Sequence, residues 1–243
     1  MESLVVQRGL ARYIKAMRLA RATAASARYR RLPDGETELM LTFGAGAPLR
    51  ASVIGTRTAL LNKPTDLGAS AILVRFRLGA AHAFFGRPMS LLTDQIVPLD
   101  ALWSERELAP LQAATSPAQL QAAFEQVLQA KFSAPYEPAA ALSVRRALQR
   151  IAQVKELPRV PALAAELGVS ERQLRRGFDQ VVGVSPKHYL RIVRFQRALR
   201  AARAAQHKPD WAALAESCGY FDQAHLISEF REMAGVTPAV LVG

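Results

Sequence analysis

Residues 162–186 read ALAAELGVSERQLRRGFDQVVGVSP, and residues 213–238 read ALAESCGYFDQAHLISEFREMAGVTP. The two stretches follow one pattern. Ala-Leu-Ala opens both, Gly168 and Gly219 each follow a leucine by five residues, and Phe178 and Phe230 each precede a proline by eight. Only the turn differs, by one residue. Self-similarity of this kind means that one structural unit is used twice.

Helix physics identifies the unit. In the first copy, residues 162–167 are strong helix formers and Gly168 stands where a helix needs a left-handed stop. Ser170 then occupies an N-cap position, and Leu174, Phe178 and Val181 recur at helical spacing as the buried stripe of a second helix. The second copy repeats this, with Asp210 as a cap, Gly219 as the stop and Leu226, Phe230 and Met233 as the stripe. Helix, glycine turn and helix make a helix-turn-helix, so the chain is expected to carry two. Off the first stripe stand Arg172, Arg175 and Arg176, three and four residues apart, on a side able to grip guanine or phosphate.

The run GVSERQLRRGFDQVVGVSPKHYLRIVRFQRAL, followed by a second unit ending in GVTP, resembles the AraC/XylS family of bacterial transcription regulators over roughly the last hundred residues. The resemblance implies two helix-turn-helix units joined by a long helix, with a recognition helix in each of two successive major grooves of double-stranded DNA. Carried over by position, the DNA-facing residues are Arg172, Arg175 and Arg176 on the first recognition helix, beside which Ser170 and Gln173 are also expected to meet DNA. On the second they are Gln223, Ala224, His225, Ile227 and Ser228; Arg194 of the joining helix is expected to hold phosphate. The second helix departs from the family pattern in having no arginine or lysine between Asp222 and Glu229, and Leu226 where an aromatic is customary.

Length and charge agree with a polyanionic partner. The 243 residues suffice for two domains, and half of them are apolar. The formal net charge is +12, and the basic density is higher in the shorter C-terminal part: residues 141–243 carry 16 basic and 9 acidic side chains. The start of the chain lacks a secretory pattern, because Arg8, Arg12, Lys15 and Arg18 interrupt its apolar residues, and no run approaches a membrane span. A cytoplasmic protein without a membrane partner is expected.

The first half reads as short strands. LPDGETELMLTFG is a turn followed by a strand, and further strands are expected over residues 50–54, 58–61 and 71–78. Leu10, Ile14 and Met17 suggest a helical face near the start, AAHAFFG a short helical turn, and residues 117–131 an amphipathic helix entered through Ser116 and Pro117. The combinations LPDGETELMLTFG, RFRLGAAHAFFG and LTDQIVPLDALW resemble an uncharacterised cupin-like N-terminal domain that accompanies AraC-type DNA-binding domains. The fold class is therefore α+β: a small, β-barrel-like N-terminal domain with short helices and an all-α C-terminal domain. The segment SAPYEPAAA is the natural linker, dividing the chain into residues 1–132, 133–141 and 142–243. The likeness implies a sensory or dimerising half. A small-molecule effector there, RNA polymerase and a second copy of the chain are the further partners it leaves open.

No enzymatic site emerges. A metal-binding cupin needs several histidines, yet His82 is the only one before residue 188, so neither metal nor cofactor is expected. His82 reads as a packing or surface residue, and Glu36 and Glu38 as a solvated strand face. Cys218, the single cysteine, sits before a turn glycine and reads as packing, with a redox sensor as the alternative. The competing function is a DNA-binding module fused to an enzyme such as a DNA-repair methyltransferase, which would need a nucleophilic cysteine with partners outside that turn.

Overall fold

The computed structural model describes residues 1–23, 28–44, 46–66, 68–132, 139–205, 207 and 209–242. Strands β1 (Glu2–Leu4), β2 (Ile14–Arg21), β4 (Glu38–Gly44), β5 (Ala47–Ile54), β7 (Ser70–Phe76) and β8 (Ile96–Pro98) form an antiparallel sheet in the order β1-β2-β7-β4-β5-β8. Strands β3 (Arg28–Arg31) and β6 (Leu61–Pro64) form a separate ribbon. One face of the sheet packs Leu39, Leu41, Ile72, Val74 and Phe76 against helices α1 (His82–Phe85), α2 (Glu105–Gln112) and α3 (Pro117–Phe132). On the other face Met40, Ile54 and Leu73 meet Tyr29 and Leu61 of the ribbon. This layered, β-rich half corresponds to the expected barrel-like domain.

Three local expectations are corrected. Ile14 and Met17 lie on β2, not on a helix. A register shift between Ile14 and Ala16 inserts an extra residue, so side chains three apart both enter the core and mimic helical spacing. The strand expected at residues 58–61 begins instead at Leu61, because the backbone N–H and hydroxyl of Thr58 both donate to the carboxylate of Asp94 (2.9 and 2.5 Å). Glu36 and Glu38 are buried, not solvated. The ribbon gives the sheet a second covered face, where Arg75 lies 3.6 Å from Glu36 and 3.4 Å from Glu38, and Lys15 bonds Glu36 at 2.6 Å. Helix α2 had no clear sequence signal, since Pro110 lies inside it; a capping box between Ser104 and Glu107 starts it.

Of the expected linker, residues 133–138 lie outside the described residues, and Ala141 already opens a helix. The second half comprises α4 (Ala141–Gln153), α5 (Val160–Glu166), α6 (Glu171–Val181), α7 (Pro186–Ala204), α8 (Trp211–Ser217), α9 (Gln223–Ala234) and α10 (Pro238–Val242). Both duplicated units form as read. Gly168 and Gly219 take left-handed φ values of 68° and 78° between their paired helices. The stripes Val144/Leu148/Ile151, Leu174/Phe178/Val181 and Leu226/Phe230/Met233 meet Tyr189, Ile192, Phe195 and Leu199 of α7 in one core.

The two halves are joined at the C-terminal end of α6. The hydroxyl of Thr56 donates to the carbonyl of Val182 and that of Thr93 to the carbonyl of Gly183, each at 2.6 Å. These bonds satisfy carbonyls that a helix end leaves without partners. Leu32 and Leu78 pack onto the helical core, and the amide of Gln196 donates to the carbonyl of Pro33. Gly183 has φ 96°, and a Cβ built on it would lie 2.7 Å from the hydroxyl of Thr93 and 2.9 Å from the carbonyl oxygen of Met89. We expect Gly183→Ala to lower the unfolding midpoint by about 4–8 °C, the shift for roughly 2 kcal/mol of backbone and contact strain in a chain of this length. Gly168→Ala, also left-handed but in open space, should cost about half as much. Thermal scans of both variants check this; equal shifts would mean that the contact between halves adds nothing.

Candidate nucleic-acid interface

Helix α6 is oriented from beneath. Gly177 faces Val144 and Ala140 of the preceding segment, where a Cβ would come within 2.8 and 2.9 Å, so α6 lies close on α4. That contact and the Leu174/Phe178/Val181 stripe turn Arg172, Arg175 and Arg176 outward. All three are exposed, and no ion pair or side-chain hydrogen bond holds any of them among the described residues. Ser170 and Gln173, expected to face DNA, form the helix's capping box: the Gln173 side-chain oxygen accepts from the Ser170 N–H (2.9 Å) and hydroxyl (3.0 Å), while the Gln173 N–H donates to Ser170 Oγ (3.2 Å). Their first task is to start the helix that carries the arginines.

Helix α9 begins with the Asp222 carboxylate accepting the His225 N–H at 2.7 Å. Gln223, Ala224, His225 and Ser228 are exposed. Ile227 is half-buried against the helical core, so only part of it reaches the outer side. The His225 ring is held in place: its Nδ1 accepts the Phe221 N–H at 3.4 Å and its edge meets Tyr220, with ring centroids 5.3 Å apart.

Helix α7 braces the two units. The carboxylate of Glu229, 1% exposed, accepts from Arg191 (3.0 Å) and twice from Arg194 (3.1 and 2.6 Å), and Glu232 accepts from Arg191 at 2.5 Å. The guanidinium of Arg194 also lies 4.5 Å over the Tyr220 ring. Arg194, expected to hold phosphate, is thus engaged within the protein and only 19% exposed. Arg197 donates to the carbonyls of Ile151, Val154 and Lys155, tying α7 to the end of α4, while Arg200 and Arg203 are exposed. The five arginines spaced by three wind round the helix, as 100° per residue requires, so that Arg191 and Arg194 share Glu229 while Arg197 faces the end of α4. Between the units runs an open cleft of about 1910 Å³ whose lining includes Arg172, Arg175, Lys187, Arg191, Arg194 and His225. Cys218 lines it too, half-buried against the core. Such a concave cationic surface concentrates a polyanion.

Burial alone would raise the Glu229 carboxyl, but the Arg194 hydrogen bond and charge, followed by the Arg191 hydrogen bond, outweigh it and hold the group below the ordinary carboxylate range. The Arg191 hydrogen bond likewise lowers Glu232, against a smaller opposing effect of burial. A carboxyl lowered by folding contributes stability above its unfolded value, and that contribution is lost as pH falls through the folded one. We expect Glu229→Ala to cost about 3 kcal/mol at neutral pH, because two guanidinium groups lose a buried partner. The gap from the parent chain should narrow as pH is taken below about 4.5. Denaturant unfolding across pH checks both; a pH-independent gap would assign the loss to packing. Arg194→Ala should likewise appear first in stability.

Residues 163–242 match the model of a helix-turn-helix domain, and residues 6–98 match a domain of unknown function. The probable thc operon regulatory protein of Rhodococcus erythropolis is 32% identical over 111 residues, covering 43% of this chain and 32% of that protein. The HTH-type transcriptional activator RhaR of Yersinia pseudotuberculosis is 35% identical over 68 residues, covering 28% and 23%. The chain thus spans a third or less of the length of these curated relatives. A solved AraC-type transcriptional regulator from Chromobacterium violaceum is 27% identical, covers 42% of this chain and 89% of its own, and superposes with a TM-score of 0.38. The duplicated units, their capped second helices and the relatives named regulators agree: residues 163–242 are a helix-turn-helix domain similar to those of transcription regulators.

Proposed function

We propose that the chain regulates transcription by binding double-stranded DNA sequence-specifically, with α6 and α9 entering successive major grooves and no catalytic step. One observation carries this reading: Arg172, Arg175 and Arg176 stand exposed on one recognition helix with no ion pair or side-chain hydrogen bond among the described residues, while Arg191, Arg194 and Arg197 are consumed in holding the units together. Free cations are thus displayed where a groove would be, on a rigid mount. Helix α7, 19 residues long, spans about 28 Å at 1.5 Å per residue, a length compatible with bridging grooves one turn apart.

In this reading residues 142–243 form the DNA-binding domain and residues 1–132 a regulatory domain, with the boundary near residues 133–141. A small-molecule effector on the first domain, a homodimer through it and contact with RNA polymerase are the partners such a division would use. The protein would act in the cytoplasm, where its DNA is. No helix of the described residues is long and apolar enough to cross a membrane.

Footprinting of the full chain on a selected site tests the proposal. Two protected major-groove segments about 34 Å apart on one side of the duplex are expected. Arg172→Ala or Arg175→Ala should cost about 1–3 kcal/mol of binding and relax preference at one base position, with thermal unfolding unchanged. A single protected segment, or equal losses on every sequence, would count against two-groove reading.

A further inference from the structure

Phe221 is 92% exposed, more than any other large hydrophobic side chain among the described residues. It stands directly before Asp222, the N-cap of α9, at the end of a recognition helix that meets base edges first. Its backbone is held from both sides. Tyr220 is buried at 5% exposure with Arg194 over its ring, and Asp222 caps the helix through the His225 N–H. A phenyl group on a fixed turn, packed against nothing that folding requires, is a contact surface.

The groups beside it say what it would touch. Gln223 and Ala224 are exposed in the first turn of α9, and neither arginine nor lysine occurs between Asp222 and Glu229. Guanine O6 and N7 are gripped by a guanidinium or ammonium group, which α9 does not carry between Asp222 and Glu229, and the neighbouring Arg194 is held by Glu229. A carboxamide matches the N6 donor and N7 acceptor of adenine, and a phenyl or methyl group matches the C5-methyl of thymine. Helix α6, by contrast, displays three free arginines.

Resting on the reading of residues 142–243 as a DNA-binding domain, we propose that the second recognition helix reads an A·T-containing segment, Phe221 covering a thymine C5-methyl group and Gln223 pairing with adenine. The operator would then be asymmetric. Guanine would be read by α6, and A·T pairs by α9 in the next groove. This makes Phe221 a specificity-determining residue of the DNA site, one outside the positions carried over from the family pattern.

The test uses the full chain and a site selected from random duplex DNA. Thymines of the α9 segment are replaced by deoxyuridine, which removes only the C5-methyl, and the parent chain is compared with Phe221→Ala and Phe221→Leu. The parent should bind the deoxyuridine duplex about fourfold more weakly for each methyl it covers. Phe221→Ala should lose the same factor on the thymine duplex and nothing further on the deoxyuridine one, while Phe221→Leu keeps most of the preference. The same replacement in the α6 segment should leave the effect of Phe221→Ala unchanged. Selection of G·C pairs alone in the α9 segment would overturn the inference and leave DNA binding standing. So would an Ala variant that binds like the parent, or losses that simply add; these would assign the exposed phenyl to the DNA backbone or to a protein partner. Absence of any sequence-specific binding by the parent would overturn the functional reading and this inference together. Circular dichroism of the variants, whose changed side chain is exposed, separates a lost contact from lost folding.

Discussion

The carboxylate of Glu229 sits nearly without solvent between Arg191 and Arg194, and the geometry of the helical half depends on it. Removing a carboxylate from water costs several kcal/mol, so the position is stable only while both guanidinium groups stay on α7 at hydrogen-bonding distance. That requirement fixes the rotation of α9 about its axis relative to α7. Arg194 extends the restraint to the start of α9, lying over Tyr220 and within 3.4 Å of the His225 Nε2. Arg197 bonds the last carbonyls of α4, so one helix orients both units at once.

The first recognition helix has a second restraint, contributed by the β-rich half. Thr56 and Thr93 donate to the carbonyls of Val182 and Gly183, just beyond the end of α6, and Gly35 lies under Tyr189 of α7 where a Cβ would come within 2.8 Å. A rotation of one half against the other would strip both carbonyls of their donors and drive backbone into the Tyr189 ring. The loops after β5 and around Asp94 are therefore linked mechanically to the helix carrying the three free arginines. Asp94 itself holds a left-handed φ of 58° and anchors Thr58, which keeps these loops in register with one another.

Charge alone would have been a poor guide within the helical half. Eight arginines on α6 and α7 look interchangeable in composition, yet among the described residues no ion pair or side-chain hydrogen bond holds Arg172, Arg175 or Arg176, whereas Arg191 and Arg194 meet Glu229 and Arg197 meets backbone oxygens. Their helices differ in how apolar and basic residues are arranged. Helix α6 buries one stripe and exposes the rest, whereas α7 is surrounded by neighbours, so its basic residues must find partners or lie at its solvent-facing edge.

Local patterns were sufficient for the duplicated units. Gly168 and Gly219 mark left-handed stops, Ser170 and Asp210 supply caps, and stripes at spacings of three and four define buried faces; each depends on residues near in sequence. The outward side of α6 was legible for the same reason. Long-range packing decided the rest. The β-bulge that carries Ile14 and Met17 into the core exists only because β2 pairs with β7; Glu38 is buried where the ribbon of residues 28–31 and 61–64 brings Tyr29 to it, and Glu36 lies among Lys15, Arg75 and residues of α7. Arg194 reads in sequence as a free cation on a helix, because the buried carboxylate that it meets lies 35 residues away. An aromatic beside a turn, such as Phe221, reads as packing until its exposure is known. Residue type and local spacing determine which elements form, and only the folded arrangement decides which charges and rings are already in use.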